Sequence, residues 1–225
     1  MANTRHRQRE VFVCEEGNAW FARNSHALSG GVVENFYIRA CADMPVKPKR
    51  ILEIGCGDGR KLERLQQEFG SEVFGIDPSS EAVSAGGERC ATLHIRTGTA
   101  DALPFPPIFF DVVIFGFCLY LCDLELLFTI ATEADRVLKT PGRLNICDFM
   151  PPFFYRNTYA HKEGIFCYKM DRAKMWLWHP QYALISRNAF SHSADAFHDD
   201  PDQRVDVCVL AKLPQDRVFL TDPYR

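Results

Sequence analysis

Three glycines at alternate positions, flanked by carboxylates, are the residues whose types and spacing could do chemistry. They lie in Glu53-Ile54-Gly55-Cys56-Gly57-Asp58-Gly59, and a further acid, Asp77, closes the apolar stretch Val73-Phe74-Gly75-Ile76. A bend free of Cβ atoms can adopt positive φ and come close to a bound molecule. An acid about 20 residues beyond the glycines, at the tip of the neighbouring strand, is placed to accept hydrogen bonds from both hydroxyls of a ribose. The pattern G-x-G-x-G is one residue tighter than the G-x-G-x-x-G turn that seats a pyrophosphate on a helix N-terminus. Asp58 inside the turn would repel a pyrophosphate but suits a ligand with a sulfonium or amino group. The expected ligand carries an adenosine-like ribose.

The elements that must position these residues follow from periodicity. Ile51 to Ile54 reads as a strand entering the glycine turn, and Leu62, Leu65 and Phe69 give a helix stripe that Gly70 ends. Glu72 to Ile76 is the second strand, a helix spans about Ser80 to Arg89, and Thr92 to Ile95 is a short third strand. The run Asp111 to Phe117 is apolar without alternation, as expected of a central strand covered on both faces. Asp123 can cap a long helix to about Lys139, after which Pro141-Gly142 turns into a strand from Leu144 to Phe149. This rhythm specifies a parallel sheet with right-handed crossovers. Late in the chain the rhythm changes: Tyr182 to Phe190 and Arg204 to Lys212 read as an antiparallel pair. Before the core, residues 1 to 27 read as irregular, and a helix with Ser29 as N-cap runs to Met44.

Four segments in register resemble the class I S-adenosylmethionine-dependent methyltransferases. Glu53, Gly55, Gly57 and Gly59 match the family's E/D-x-G-x-G-x-G motif position by position. Phe74-Gly75-Ile76-Asp77-Pro78-Ser79 is similar to its ribose-binding strand end, and Gly98-Thr99-Ala100-Asp101-Ala102-Leu103-Pro104-Phe105 to the loop whose Asp bonds the adenine amino group. Phe110 to Phe115 resembles its fourth strand, and Glu133 to Gly142 the helix and turn before the fifth, with Arg143 where a second glycine is common. The resemblance covers roughly residues 50 to 149. It implies an α/β fold, a Rossmann-like three-layer sandwich whose seven-stranded, mostly parallel sheet ends in an antiparallel hairpin. It also implies S-adenosyl-L-methionine as cofactor. The contact set it implies is Glu53, Gly55, Cys56 and Gly57 with Gly59, Asp77, Pro78, Thr99, Ala100, Asp101, Ala102, Phe115 and Gly116, the last two beneath the ligand near the reacting methyl.

Acceptor chemistry is less sharply written. Residues 150–181 place Tyr155, Tyr159, His161 and Tyr168 where a helix usually follows the fifth strand. The segment reads as a lid over the site, as an oligomer contact, or as a patch packed on Trp20 and Phe21. If the acceptor is a hydroxyl, a general base is useful, and Asp148, His161 and Tyr120 are the catalytic candidates. No Asn/Asp-Pro-Pro-Tyr tetrapeptide follows the fourth strand, where Phe115-Gly116-Phe117-Cys118 stands. The expectation is an enzyme acting on a small molecule, such as a sugar or other biosynthetic intermediate. A nicotinamide-dependent oxidoreductase and a non-catalytic cofactor-binding relative are the competing readings.

Composition bounds these readings. A chain of 225 residues with 47% hydrophobic content can bury one sizeable core. The expected organisation is a single domain: a cap over 1–45, the core over 46–149, the aromatic insertion over 150–181 and strands over 182–225. A net charge of −3 and a pI near 6.2 give no footprint for nucleic acid. Arg5-His6-Arg7-Gln8-Arg9 reads as a solvated tail. The first 25 residues show no apolar signal-peptide core, and no stretch is long enough to span a membrane. Nine cysteines without a C-x-x-C pair fit reduced thiols in the cytoplasm, and neither they nor the seven histidines show zinc spacing. A homodimer fits the aromatic surfaces left over at the ends and the lid.

Overall fold

A computed structural model describes residues 7–27, 32–193 and 196–219. The first helices are α1 (Arg7–Val11), a π-helical turn (Phe12–Glu16), α2 (Gly17–Asn24) and α3 (Val32–Ala42). The core continues through β1 (Arg50–Ile54), α4 (Arg60–Phe69), β2 (Glu72–Asp77), α5 (Ser80–Arg89), β3 (His94–Thr97) and β4 (Phe110–Gly116). It goes on with α6 (Leu127–Val137), β5 (Leu138–Phe149), a hairpin of β6 (Tyr155–Thr158) and β7 (Phe166–Lys169), and α7 (Lys174–Leu177). Strands β8 (Tyr182–Ser191) and β9 (Arg204–Lys212) and the short helix α8 (Gln215–Val218) complete the described chain.

Seven strands form one sheet in the order β3-β2-β1-β4-β5-β9-β8. Every pairing from β3 through β5 is parallel, and β9 runs antiparallel between β5 and β8. The expected sheet, including its antiparallel last hairpin, is the one observed. Central strands buried on both faces explain the unbroken apolar runs: Ile51, Leu52, Val113, Ile114 and Phe115 are all 0% exposed. Helices α3 and α4 pack one face through Tyr37, Cys41, Leu62 and Leu65, and α6 and α7 pack the other through Ile130, Ala134 and Trp176.

Several boundaries differ from the sequence reading for identifiable reasons. Residues 7–24 are helical, not irregular, because the donors at the start of α1 are capped from far away: Asp123 accepts from the Gln8 and Arg9 amides at 3.2 and 2.9 Å. Asp123 therefore does not cap α6, which follows a 3-10 turn at Leu124–Leu126 and ends at Val137. Strand β5 already starts at Leu138, its pairing with β4 interrupted between Phe110 and Val112. Strand β3 lies two residues later than expected. Ser29 lies outside the described residues.

Candidate active site

The glycine turn folds as the sequence predicts, with Gly55, Gly57 and Gly59 at φ of 75°, 55° and 75°. Four of its amides are spoken for within the protein. Gly55 N and Cys56 N donate to Ile76 O at 2.8 and 3.3 Å, Gly57 N to Asp77 Oδ2 at 2.8 Å, and Gly59 N to Cys56 O at 3.0 Å. A phosphate cradle needs such amides free. Asp77 Oδ1 accepts from Ser79 N at 2.9 Å, so the two amides hold the carboxylate in place and leave each oxygen further acceptor capacity. Burial raises the Asp77 pKa against the pull of those amides and of Lys61.

Beside this turn opens a solvent-connected cavity with an internal volume of about 130 Å3. Gly55, Asp77 and Pro78 form one wall, Thr99, Ala100 and Asp101 a second, and Gly116 the floor. Those seven members of the expected contact set come together at one place. The roof was not expected: Gln8, Arg9, Phe12, Gly17 and Trp20 from the N-terminal helices face the same space. Arg9 lies 3.4 Å from Asp101. The Gln8 amide group bonds to the Leu121 and Phe166 carbonyls and to the Phe166 N–H, and Asn18 Oδ1 accepts from Ser79 Oγ and Glu81 N. The aromatic pair Trp20-Phe21 was the local hint that this segment must cover something.

Other expected contacts lie behind the wall. Glu53 is fully buried, with Lys61 Nζ 3.2 Å from Oε1, and Oε2 has no hydrogen-bond partner among the described residues. Burial pushes its pKa up to about 6, with Lys61 opposing. A Cβ at Gly116 would stand 2.5 Å from Glu53 Oε1, so only glycine lets the carboxylate come this close to the floor. Cys56 is buried and its thiol donates to Gly57 O, and Gly57, Gly59 and Ala102 shape their loops without lining the cavity. Phe115 does not line the cavity, because its position in β4 turns its ring into the core against Trp176. Asp58 does not face the ligand space either: it is 2% exposed and its charge is met by Arg60 and Arg89 at 2.8 and 2.9 Å.

The three base candidates are not gathered at the cavity. Asp148 is 1% exposed, and its two oxygens accept the Tyr120 and Phe149 amides at 3.1 and 2.8 Å. Burial raises its pKa to about 6, with Arg172 and the amides opposing. It anchors the loop after β4, which carries the cavity residues Cys118, Leu121 and Cys122. Tyr120 is buried between Phe117 and Phe149, and burial holds its phenol well above the usual value. His161 is exposed in the turn between β6 and β7, edge-on to Tyr159. The 150–181 segment packs on the N-terminal helices, as one of its three readings had it, but through Gln8, Phe12, Glu16 and Arg23. Phe117, missed by sequence, has φ of 66° at the strand end and lines the cavity.

With this geometry in place, comparison with known proteins shows what the chain is similar to. Residues 51–142 match the sequence model of the methyltransferase domain family. This segment is similar to a methyltransferase domain. Demethylmenaquinone methyltransferase of Tropheryma whipplei is 33% identical to the chain over 114 residues, 46% of this chain and 43% of the relative. The fatty-acid O-methyltransferase of Mycolicibacterium smegmatis is 32% identical over 120 residues, 52% of this chain and 43% of the relative. The chain thus spans well under half the length of these curated relatives. Over nearly its whole length, the chain with its N- and C-terminal elaborations superimposes on the 1,6-didemethyltoxoflavin-N1-methyltransferase of Burkholderia thailandensis. That match has a TM-score of 0.70 at 13% identity and covers 92% of this chain and 90% of the other. Among the described residues no helix is long and apolar enough to cross a membrane.

Proposed function

We propose that the protein is an S-adenosylmethionine-dependent methyltransferase acting on a small-molecule acceptor. The observation that carries this reading is the pairing of a ribose-type acid with a glycine turn most of whose amides are already satisfied. Such a site suits an adenosine ligand without phosphates. It leaves a dinucleotide pyrophosphate fewer amides in the turn to rest on, which disfavours the dinucleotide-dependent alternative.

The residues present fit the cofactor. Asp77 would take the ribose hydroxyls, Asp101 the adenine amino group, and Gly55 and Gly116 the methionine end, with Glu53 and Lys61 supporting the floor. Bound there, S-adenosylmethionine supplies an electrophilic methyl group on a sulfonium. The chain's own part is to hold donor and acceptor in line and exclude water, which the helical roof over the cavity favours. The aromatic rings of Phe12 and Trp20 offer faces for a cation.

The relatives and the structural neighbour are named for unlike acceptors, a menaquinone precursor, a fatty acid and a toxoflavin precursor, so the acceptor is not carried over from them. A sugar or other biosynthetic intermediate remains the expected class. Nine free cysteines support the reading of a reducing compartment, the cytoplasm, as the expected setting. Calorimetric titration tests the reading: S-adenosylhomocysteine should bind with about micromolar affinity and lose binding in Asp77→Ala. Stabilisation by NAD with no response to S-adenosylhomocysteine would reverse it.

A further inference from the structure

The sheet edge that carries the cavity also carries a histidine that cofactor binding leaves unused. Strands β5 and β8 both run antiparallel to β9, and Phe149 and Phe190 both pair with Val205, so the carboxyl end of β8 lies level with that of β5. His192 follows directly. Its amide donates to Gln203 O at 2.7 Å and that of Ser191 to Ala196 O at 2.8 Å, which fixes the backbone that carries it. The imidazole is exposed, whereas the Asp148 carboxylate and the Tyr120 phenol are enclosed. It stacks on the Phe117 ring, with centroids 5.5 Å and planes 29° apart, and stands 5.5 Å from the Phe149 ring. Phe117 joins it to the cavity, which Phe117 lines next to the floor residue Gly116 at the methionine end.

Neither ring nitrogen of His192 has a hydrogen-bond partner among the described residues, whereas His179 and His198 each accept a backbone amide. Lys169 on β7 and Asp202 ahead of β9 are the charged groups that face it. The cover of the aromatic rings and the Lys169 charge lower its pKa, with Asp202 opposing, so the ring is neutral and able to take a proton at neutral pH. The polar side chains of the cavity are otherwise engaged. Gln8 is bonded to Leu121 and Phe166, Asp123 to the first amides of α1, and Arg9 lies against Asp101, while Asp77 is placed for the ribose. Little is left for the several hydroxyls of a sugar, and Phe12, Trp20, Phe117 and Leu121 offer apolar surface that suits a flat ring.

Resting on the methyltransferase reading, we propose that His192 is the general base of the transfer, taking the proton of a hydroxyl carried on an aromatic ring that lies along Phe117. The acceptor oxygen forms its bond to the methyl carbon as the carbon–sulfur bond breaks and its electron pair returns to sulfur. The hydroxyl proton goes to the imidazole and from there to water, which reaches the exposed ring.

The probe that tests the assignment is 2-naphthol. Added to the protein loaded with S-adenosylhomocysteine, it should shift the His192 ring resonances in the NMR spectrum, and these should titrate below the ordinary histidine range. With S-adenosylmethionine, 2-methoxynaphthalene should form, read by mass spectrometry, and kcat should fall along an acid limb that coincides with the His192 titration. His192→Gln should lower kcat about 100-fold and remove that limb, while the affinities for 2-naphthol and S-adenosylhomocysteine stay within about threefold. Bound 2-naphthol that leaves the His192 resonances unmoved, a kcat in His192→Gln within about threefold of the wild type, or no binding or methylation of 2-naphthol by a protein that binds S-adenosylhomocysteine overturns the assignment alone. Failure of the wild-type protein to bind S-adenosylhomocysteine overturns the cofactor reading and the assignment with it.

Discussion

Replacing Gly116 with alanine tests the floor of the cavity from two sides at once. The new Cβ would stand 2.5 Å from Glu53 Oε1, 2.8 Å from Gly55 O and 3.2 Å from Glu53 Cδ. None of these can retreat cheaply. Gly55 is held by its amide bond to Ile76 O, and Glu53 is fully buried with Lys61 against it. Relief must come from parting β1 and β4, an overpacking cost of about 1–3 kcal/mol. For a chain of this size that lowers Tm by about 2–12 °C. Because Gly55 and Gly116 both border the ligand space, the same displacement should weaken S-adenosylhomocysteine binding by about 10- to 100-fold. Calorimetry with and without ligand measures both effects. Gly87→Ala is the matched control: nothing stands within 4 Å of its Cβ, and it lies in α5, so it should stabilise by about 0.5–1 kcal/mol and leave binding alone. Should Gly116→Ala match the wild type within about 1 °C and about threefold in affinity, the packing argument for this floor is wrong.

Asp123→Ala should loosen the roof by removing the acceptor for the first amides of α1, a loss of about 1–2 kcal/mol. Limited trypsin digestion would report it as cleavage within residues 7–24 about 5- to 30-fold faster than in the wild type. Asp206, buried opposite Asp148, has its pKa pushed up to about 7 by burial and by neighbouring carboxylates, against the pull of Arg187. Its proton is then bound more tightly in the folded than in the unfolded chain, so its contribution is most favourable below pH ~4 and is lost as pH rises towards ~7. Urea midpoints of Asp206→Asn should therefore gain on the wild type between pH ~5 and pH ~8, by about 2–4 kcal/mol; a constant difference would contradict the buried-acid account. Lys61→Met leaves Glu53 buried without its cation and should cost about 3–5 kcal/mol at neutral pH, read from denaturant melts.

The sheet and its glycine turn were legible because each follows from local signals: apolar runs for strands covered on both faces, and glycines where φ is positive. The antiparallel pair at the carboxyl end was legible from the loss of helical rhythm after Tyr182, and its place in the sheet from the family resemblance. The roof was not. Its helices contain Gly17 and take their cap from Asp123, over a hundred residues away, so no local window announces them. Asp58 was misread for a related reason, since Arg89 comes to it from the end of α5. Phe115 shows the limit of strand-end reasoning: alternation along β4 sends its ring to the core and leaves the glycine beside it to face the cavity. Asp148 kept the place expected of it, but its oxygens serve amides of the loop it anchors.

Strand β9 sits between β5 and β8, and β8 has no other neighbour in the sheet. A ribosome therefore delivers β8 before the strand that will hold it, and the growing chain must keep a ten-residue segment with Leu184 and Ile185 exposed from finding the wrong partner until Arg204–Lys212 emerges. Closure of the sheet consequently waits for β9, and a lesion in that strand would leave β8 unheld as well.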